Sequence, residues 1–268
     1  MLKSFLKTLE DIIYNERFST KDGFLQKIDP RIKFCSSLVL ILTAITVRNI
    51  LPLIILLGIL FVLTFKSKIS LKYLILRTVY IPVFVAIIAL PLPFITPGNT
   101  ITSIGYNNYL LNITFEGMNI AVQFTLRVWV CVAISVLLVL TTEFSNLIHV
   151  MEKFRIPKVF IMMLSITHRF IFLFTNESYR MVLAKEARIV NKESRLRSMK
   201  SLASMITTLF IRAYERGERV YIAMLSRGYQ GRVRSLRTMK IAKQDLIFVS
   251  LIVLVCITVS YIEFLGVI

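Results

Sequence analysis

The sequence predicts an all-α, polytopic helical membrane protein, with about five transmembrane helices and long amphipathic cytoplasmic helices ahead of the last one. Three observations predict it. Hydrophobic residues make up 56% of the 268 positions and the mean hydropathy is +0.72, well above what a soluble domain carries. Several apolar runs approach the ~20 residues needed to cross a ~30 Å hydrocarbon core. Finally, Lys and Arg concentrate between those runs. The stretch Glu177 to Lys243 holds sixteen of them against five Glu, a surplus of eleven out of the chain's +18. A basic surplus set among apolar spans marks cytoplasmic loops and anionic lipid more simply than nucleic acid. Four regions follow: residues 1–33, an N-terminal amphipathic cytoplasmic segment; 34–141, transmembrane helices one to four; 142–243, cytoplasmic or interfacial helices; and 244–268, a C-terminal transmembrane helix.

Along the chain, Leu2, Phe5, Leu6, Leu9, Ile12 and Ile13 share one helical face, the pattern of a short helix lying at the membrane interface. Packing of that face on the basic stretch is the alternative. The first thirty residues lack the continuous apolar core of a cleavable signal, so insertion is expected to rely on the internal spans. Asp29 and Pro30 suit the cap and first turn of a helix. The apolar run Phe34–Phe65 is too long for one span and somewhat short for two. Arg48, Asn49 and Pro52 interrupt it, and we divide it there. Residues 1–33 carry seven Lys or Arg, and Lys66, Lys68, Lys72 and Arg77 follow the run. Both ends are therefore expected on the cytoplasmic side, which requires an even number of crossings.

A third span is expected from about Tyr73 to Phe94, bent or ended by Pro82, Pro91 and Pro93. Thr96–Gly117 has no Lys or Arg and reads as an external loop. Met118–Leu140 is the fourth span. Arg127 inside it is costly in lipid and is expected to face a protein interior or to snorkel toward a boundary, in a structural pairing more readily than in a transport role. Thr142 is placed to cap the next helix, whose apolar stripe is Leu147, Val150, Met151 and Phe154. Pro157 opens a long helix. Its part Val159–Phe174 is apolar enough to pass for a span, but a crossing there would put the whole basic stretch outside. We therefore expect it to lie along the cytoplasmic interface. Leu246–Leu265 is the last span, giving five crossings and an external C-terminus.

Two related tripeptides stand in the basic stretch, Ala187-Arg188-Ile189 and Ser226-Arg227-Gly228. Each ends a segment with apolar residues every three or four positions: Phe160, Met163, Leu164, Thr167, Ile171 and Phe174 in the first, and Leu202, Met205, Ile206, Leu209, Ala213, Val220 and Met224 in the second. That spacing gives each helix one apolar face and puts an arginine at its C-terminal end. Gly228 sits where a helix would stop in a left-handed cap. The arrangement can be a solvated basic face, or a platform that presents two arginines to an acidic partner.

Catalytic and metal chemistry find little support. There is no GxxxxGK[ST], so no ATP site of the P-loop kind is expected. His149 and His168 lie nineteen residues apart with no HExxH or Cys/His cluster. Cys35, Cys131 and Cys256 sit in apolar runs without CxxC spacing. No catalytic residues and no metal ligands are assigned, and the chain is expected not to be an enzyme by itself.

Several stretches, in order, resemble one family. They are Asp29-Pro30-Arg31-Ile32-Lys33, Thr114-Phe115-Glu116-Gly117, Leu140-Thr141-Thr142, Arg155-Ile156-Pro157, His168-Arg169-Phe170, Glu186-Ala187-Arg188, and Ala223-Met224-Leu225-Ser226-Arg227-Gly228-Tyr229. Together they are similar to the CbiQ-type transmembrane (T) component of energy-coupling factor transporters. In that family two Ala-Arg-Gly motifs end two crossed cytoplasmic coupling helices. Here Ile189 departs in the first motif and Ser226 in the second, while both arginines stand. The resemblance implies docking to ABC ATPase subunits through Arg188 and Arg227, with Ala187, Ser226 and Gly228 beside them. It also implies a separate, CbiM-like substrate-binding membrane subunit, ATP used by the partner subunits with no cofactor bound by this chain, and cobalt as the transported ion for cobalamin biosynthesis. Nickel or a vitamin is the alternative substrate. The alternative from another class is a basic membrane anchor recruiting an acidic partner.

Overall fold

A computed structural model describes residues 23–106, 109–154, 156–188, 194–231 and 243–265. The amphipathic segment expected at 2–13 lies outside these residues. The chain divides into two compact units, one of Arg17–Phe144 with Met239–Ile268, the other of Met1–Glu16 with Ser145–Thr238. The first unit holds a 3-10 turn Leu25–Lys27, then α1 Pro30–Thr46, α2 Ile50–Lys66, α3 Leu71–Ala89, the short α4 Leu92–Ile95, strands β1 Thr100–Tyr106 and β2 Tyr109–Thr114, α5 Phe115–Thr141, and finally α9 Lys243–Leu265. The second holds α6 Phe144–Lys153 (from Ser145 on), α7 Lys158–Arg188 and α8 Arg195–Ser226. Among the described residues four helical stretches are long and apolar enough to cross a membrane: Leu71–Ile95, Phe115–Thr141, Lys158–Arg188 and Lys243–Leu265.

The long apolar run breaks at Val47–Asn49, as its interrupting residues require, into two helices of 17 residues. At ~1.5 Å per residue each is about 26 Å long, a little short of the hydrocarbon core. In α3, Pro82 is carried inside the helix; it cannot donate to the carbonyl one turn back. The external loop expected at 96–117 contains instead an antiparallel hairpin, with Thr102 opposite Ile113 and Tyr106 opposite Tyr109. The run of β-branched Thr and Ile at 100–104 and 113–114 favours strands, a preference hidden in a stretch read by its polarity.

Helix α5 is the hub of this unit, packing on α1, α2, α3 and α4. Its buried residues Val130, Ala133, Ile134, Leu137 and Leu140 recur every three or four positions, as do Leu53, Leu56, Leu60 and Leu63 in α2 and Phe248, Ile252, Val255 and Val259 in α9. Other positions of the same helices leave Ile54, Val62, Val139, Leu254 and Ile257 more than half exposed. A bundle that buries one apolar stripe and exposes another is built for lipid as its solvent. Thr114-Phe115-Glu116-Gly117 seats α4 on α5. Thr114 Oγ1 donates to the carbonyls of Pro93 (3.1 Å) and Thr96 (3.0 Å), and Glu116 accepts from the Asn99 backbone N–H at 2.8 Å. A Cβ at Gly117 would fall 2.7 Å from Pro93 Cα and 2.8 Å from the Leu92 carbonyl, so α4 can approach this closely only over glycine.

Helix ends leave backbone groups without intrahelical partners. Here charged side chains from other helices close them. At the start of α1, Asp29 accepts from Arg31 N–H (2.9 Å), as a capping residue should, while the Asp29 N–H donates to buried Asp245 of α9 at 2.8 Å. At the end of α5, Lys33 Nζ donates to the Thr141 carbonyl at 2.8 Å. Asp29, Glu143 and Asp245 are the charges that face this 5%-exposed amine. At the other end of α1, Arg127 Nη2 donates to the Val47 carbonyl at 2.7 Å, the structural pairing expected for that residue. Glu263 of α9 accepts from the N–H groups of Arg48 (2.8 Å) and Asn49 (3.2 Å) at the start of α2. Thr142 departs from expectation. Helix α6 begins two residues later, at Phe144, and the buried Thr142 hydroxyl has no hydrogen-bond partner among the described residues, because this residue ends α5 in extended conformation instead of opening α6.

Replacing Lys33 by Met removes the donor to Thr141 and leaves buried carboxylates without their cation. Leaving a buried acceptor without its donor costs roughly 1–3 kcal/mol. The Lys33→Met variant should therefore unfold in detergent at a clearly lower temperature than the parent, whereas a melting midpoint matching the parent's would contradict this role.

Candidate coupling site

The second unit is built on α7 and α8. Helix α8 opens at Ser194, whose side chain accepts from Arg197 N–H at 3.4 Å. It closes at Arg227, followed by Gly228 with a φ of +78°. Gly228 N–H donates to Leu225 (2.9 Å) and Tyr229 N–H reaches back to Met224 (3.0 Å). This pair of bonds, with the left-handed glycine, is the Schellman ending of a helix. The expected cap at Gly228 therefore forms, and it fixes Arg227 at the negative end of the helix dipole, where a cation is favoured. At the end of α7, Ala187 and Arg188 are the last helical residues. Ile189, the third position of the first tripeptide, lies outside the described residues.

The two helices run antiparallel. Arg212 of α8 pairs with Glu177 of α7, and Lys185 Nζ of α7 donates to Ser198 of α8, at 3.2 Å to the hydroxyl and 3.4 Å to the carbonyl. Contacts further along α7 thus fall earlier along α8. Arg188 borders a groove of about 410 Å³ beside Ser201, Ser204 and Met205, between 22 and 26 residues from Arg227 along α8. With Lys185 opposite Ser198, 29 residues before Arg227, the two arginines stand on the order of 40 Å apart at ~1.5 Å per residue. The fold places Ala187 and Arg188 at one end of the helix pair, and Ser226, Arg227 and Gly228 towards the other. All five are exposed.

No residue of α7 or α8 is fully buried. The α8 stripe expected from periodicity, Leu202, Met205, Leu209, Ala213, Val220 and Met224, is partly covered, while Ile206 of that set stays 68% exposed. The sequence reading missed a second apolar stripe on α8: Ile206, Phe210, Tyr214 and Tyr221 are each more than half exposed. Its signal, apolar side chains four apart at 206, 210 and 214, is interleaved with the first stripe. In α7, Phe160 (50%) and Met163 (59%) are likewise open. His168 stacks edge-on against Phe172, with ring centroids 5.2 Å apart, and His149 Nδ1 lies 3.9 Å from Glu152. Among the described residues no three His, Cys, Asp or Glu come together as metal ligands. What this geometry offers chemically is a stiff helical pair with an exposed guanidinium at either end and apolar faces along its length.

The comparisons with known proteins concern most of the chain. Residues 21–239 match the model of the CbiQ family, described as cobalt transport protein. An uncharacterised protein of Methanocaldococcus jannaschii is 36% identical over 92% of this chain and 85% of its own length. The energy-coupling factor transporter transmembrane protein EcfT of Streptococcus thermophilus is 28% identical over 80% of this chain and 84% of its own. The cobalt transport protein CbiQ of Rhodobacter capsulatus is 28% identical over 57% and 62%. The resemblance carried by the motifs is thereby borne out: this membrane protein belongs to the CbiQ family of cobalt transport proteins.

Proposed function

We propose that this chain is the transmembrane coupling component of an energy-coupling factor transporter. It links ATP hydrolysis in separate ABC ATPase subunits to uptake of cobalt through a separate, CbiM-like membrane subunit. The observation that carries the reading is the antiparallel pair α7–α8 with Arg188 and Arg227 exposed towards opposite ends, on the order of 40 Å apart. A motor does work on a membrane subunit only through a rigid element that touches both. The helix pair supplies one, its arginine ends toward two ATPase subunits and its apolar faces toward membrane partners. Arginine suits docking because it is permanently charged and binds carboxylate in a fork.

In this reading the N-terminus and the helices of the second unit lie on the cytoplasmic side, with the apolar half of α7 along the membrane surface. The chain itself is non-catalytic and holds neither nucleotide nor metal ion; nucleotide is used by the ATPases and the ion is captured by the separate subunit. Ala187, Ser226 and Gly228 let each arginine approach its groove without bulk beside it.

Truncating one partner of a desolvated charge pair commonly costs ~2–5 kcal/mol. Reversing both arginines, Arg188→Glu with Arg227→Glu, should abolish co-purification with the ATPase subunits while the protein still inserts in the membrane. Retained co-purification would exclude the docking role. Vesicles holding this chain with its ATPase and substrate-binding subunits should take up labelled cobalt when ATP is supplied and lose uptake with the double variant. A stable complex that moves neither cobalt nor nickel would assign the scaffold another substrate.

A further inference from the structure

Within the second unit, α6, the first half of α7 and the end of α8 line an open cleft of about 380 Å³, within the size range of small-ligand sites. One side is apolar, with Ile161, Met162, Val220 and Met224; the other carries His149, Glu152, Lys158, Ser165, Arg169 and Arg227. Three cations therefore face one carboxylate, and with His149 neutral the lining has a charge of +2. Glu152 is turned toward His149, 3.9 Å away. No hydrogen bond or ion pair engages the side chains of Lys158, Arg169 or Arg227 among the described residues. Lys158 and Arg169 are eleven residues apart, three helical turns, so they share one face of α7 and bracket Ser165. Val159 and Met163, 50% and 59% exposed, follow Lys158 and Met162 of the lining by one residue each and so lie on the next face round α7.

We infer that this cleft binds the phosphate of an anionic phospholipid, Lys158 and Arg169 holding the headgroup while an acyl chain runs out over Val159 and Met163. The charge complementarity calls for an anion, and the mixed lining calls for one attached to an apolar chain. Basic pockets between helices at the cytoplasmic surface are where such headgroups lodge, and each charge-assisted bond to phosphate is short and strong. An acidic protein segment would satisfy the cations but would leave the apolar residues outside the mouth uncovered. The site rests on the membrane-surface placement of α7 proposed above. It adjoins one docking end, since Arg227 also lines it, but Lys158 and Arg169 belong to neither tripeptide.

The test uses the full chain in nanodiscs of phosphatidylcholine mixed with phosphatidylglycerol, with the lipids that stay bound counted by native mass spectrometry. The parent protein should retain phosphatidylglycerol over phosphatidylcholine. Lys158→Gln with Arg169→Gln should reduce that preference by about tenfold or more, and the charge-keeping Lys158→Arg with Arg169→Lys should preserve it, which separates loss of charge from loss of fold. An unchanged preference in the Gln variant would overturn the site. Displacement of the lipid by inorganic phosphate alone would also overturn it, in favour of a free-anion site. So would a Gln variant that keeps its lipid but no longer co-purifies with the ATPase, since the cations would then serve a protein partner. Failure of the docking reading shows differently, as no ATPase association in the parent protein while its lipid preference stands.

Discussion

A helix end leaves carbonyls or N–H groups without intrahelical partners, and the first unit is organised around meeting that demand. The Val47 carbonyl receives Arg127 and the Thr141 carbonyl receives Lys33. The N–H groups of Arg48 and Asn49 find Glu263, and that of Asp29 finds Asp245. In each case the sign agrees with the helix dipole, cations at C-terminal ends and carboxylates at N-terminal ends. Each closing side chain also comes from another helix, so the same bonds that satisfy the backbone tie α1 to α5 and α9, and α2 to α9. An apolar stripe alone could slide or rotate along its neighbour. Polar contacts at both ends of α1 fix its register.

The second unit follows a different rule. Neither α7 nor α8 buries a single residue fully, and their pairing relies on the Glu177–Arg212 ion pair and the Lys185–Ser198 bonds. Exposed pairs of this kind contribute little individually, and both helices keep open apolar stripes that the proposed role would cover with partner subunits. A coupling element needs this composition. It must be stiff along its axis, which long uninterrupted helices provide, and it must keep enough unspent surface to grip partners on two sides.

Much of this was legible in the sequence, for identifiable reasons. The division of the apolar run at Arg48–Pro52 could be read because a charge, a helix cap and a proline coincide there. The Gly228 ending could be read because only glycine adopts the left-handed conformation without cost, and the partner of Arg127 could be anticipated in kind because a charge in hydrocarbon must be paired. The partners themselves could not. Lys33 and Thr141 are separated by 108 positions, Asp29 and Asp245 by 216, and one sequence does not state which ends meet. The hairpin at 100–114 was masked by polar composition. Phe210, Tyr214 and Tyr221 were missed because two apolar stripes on one helix blur its periodicity. Thr142 was assigned to the wrong helix end, where a threonine suits capping in type but the chain remains extended.

The central claim is that one antiparallel helix pair engages two ATPase subunits at once, one at each arginine. It is tested most directly by placing a photoreactive amino acid at Ala187 and at Ser226 of the same chain, leaving Arg188 and Arg227 intact, and irradiating the assembled complex in membranes. The account predicts a product in which a single copy of this chain is joined to two ATPase subunits, with each position alone giving a product joined to one. Cross-links from only one of the two positions, or from neither, would contradict it.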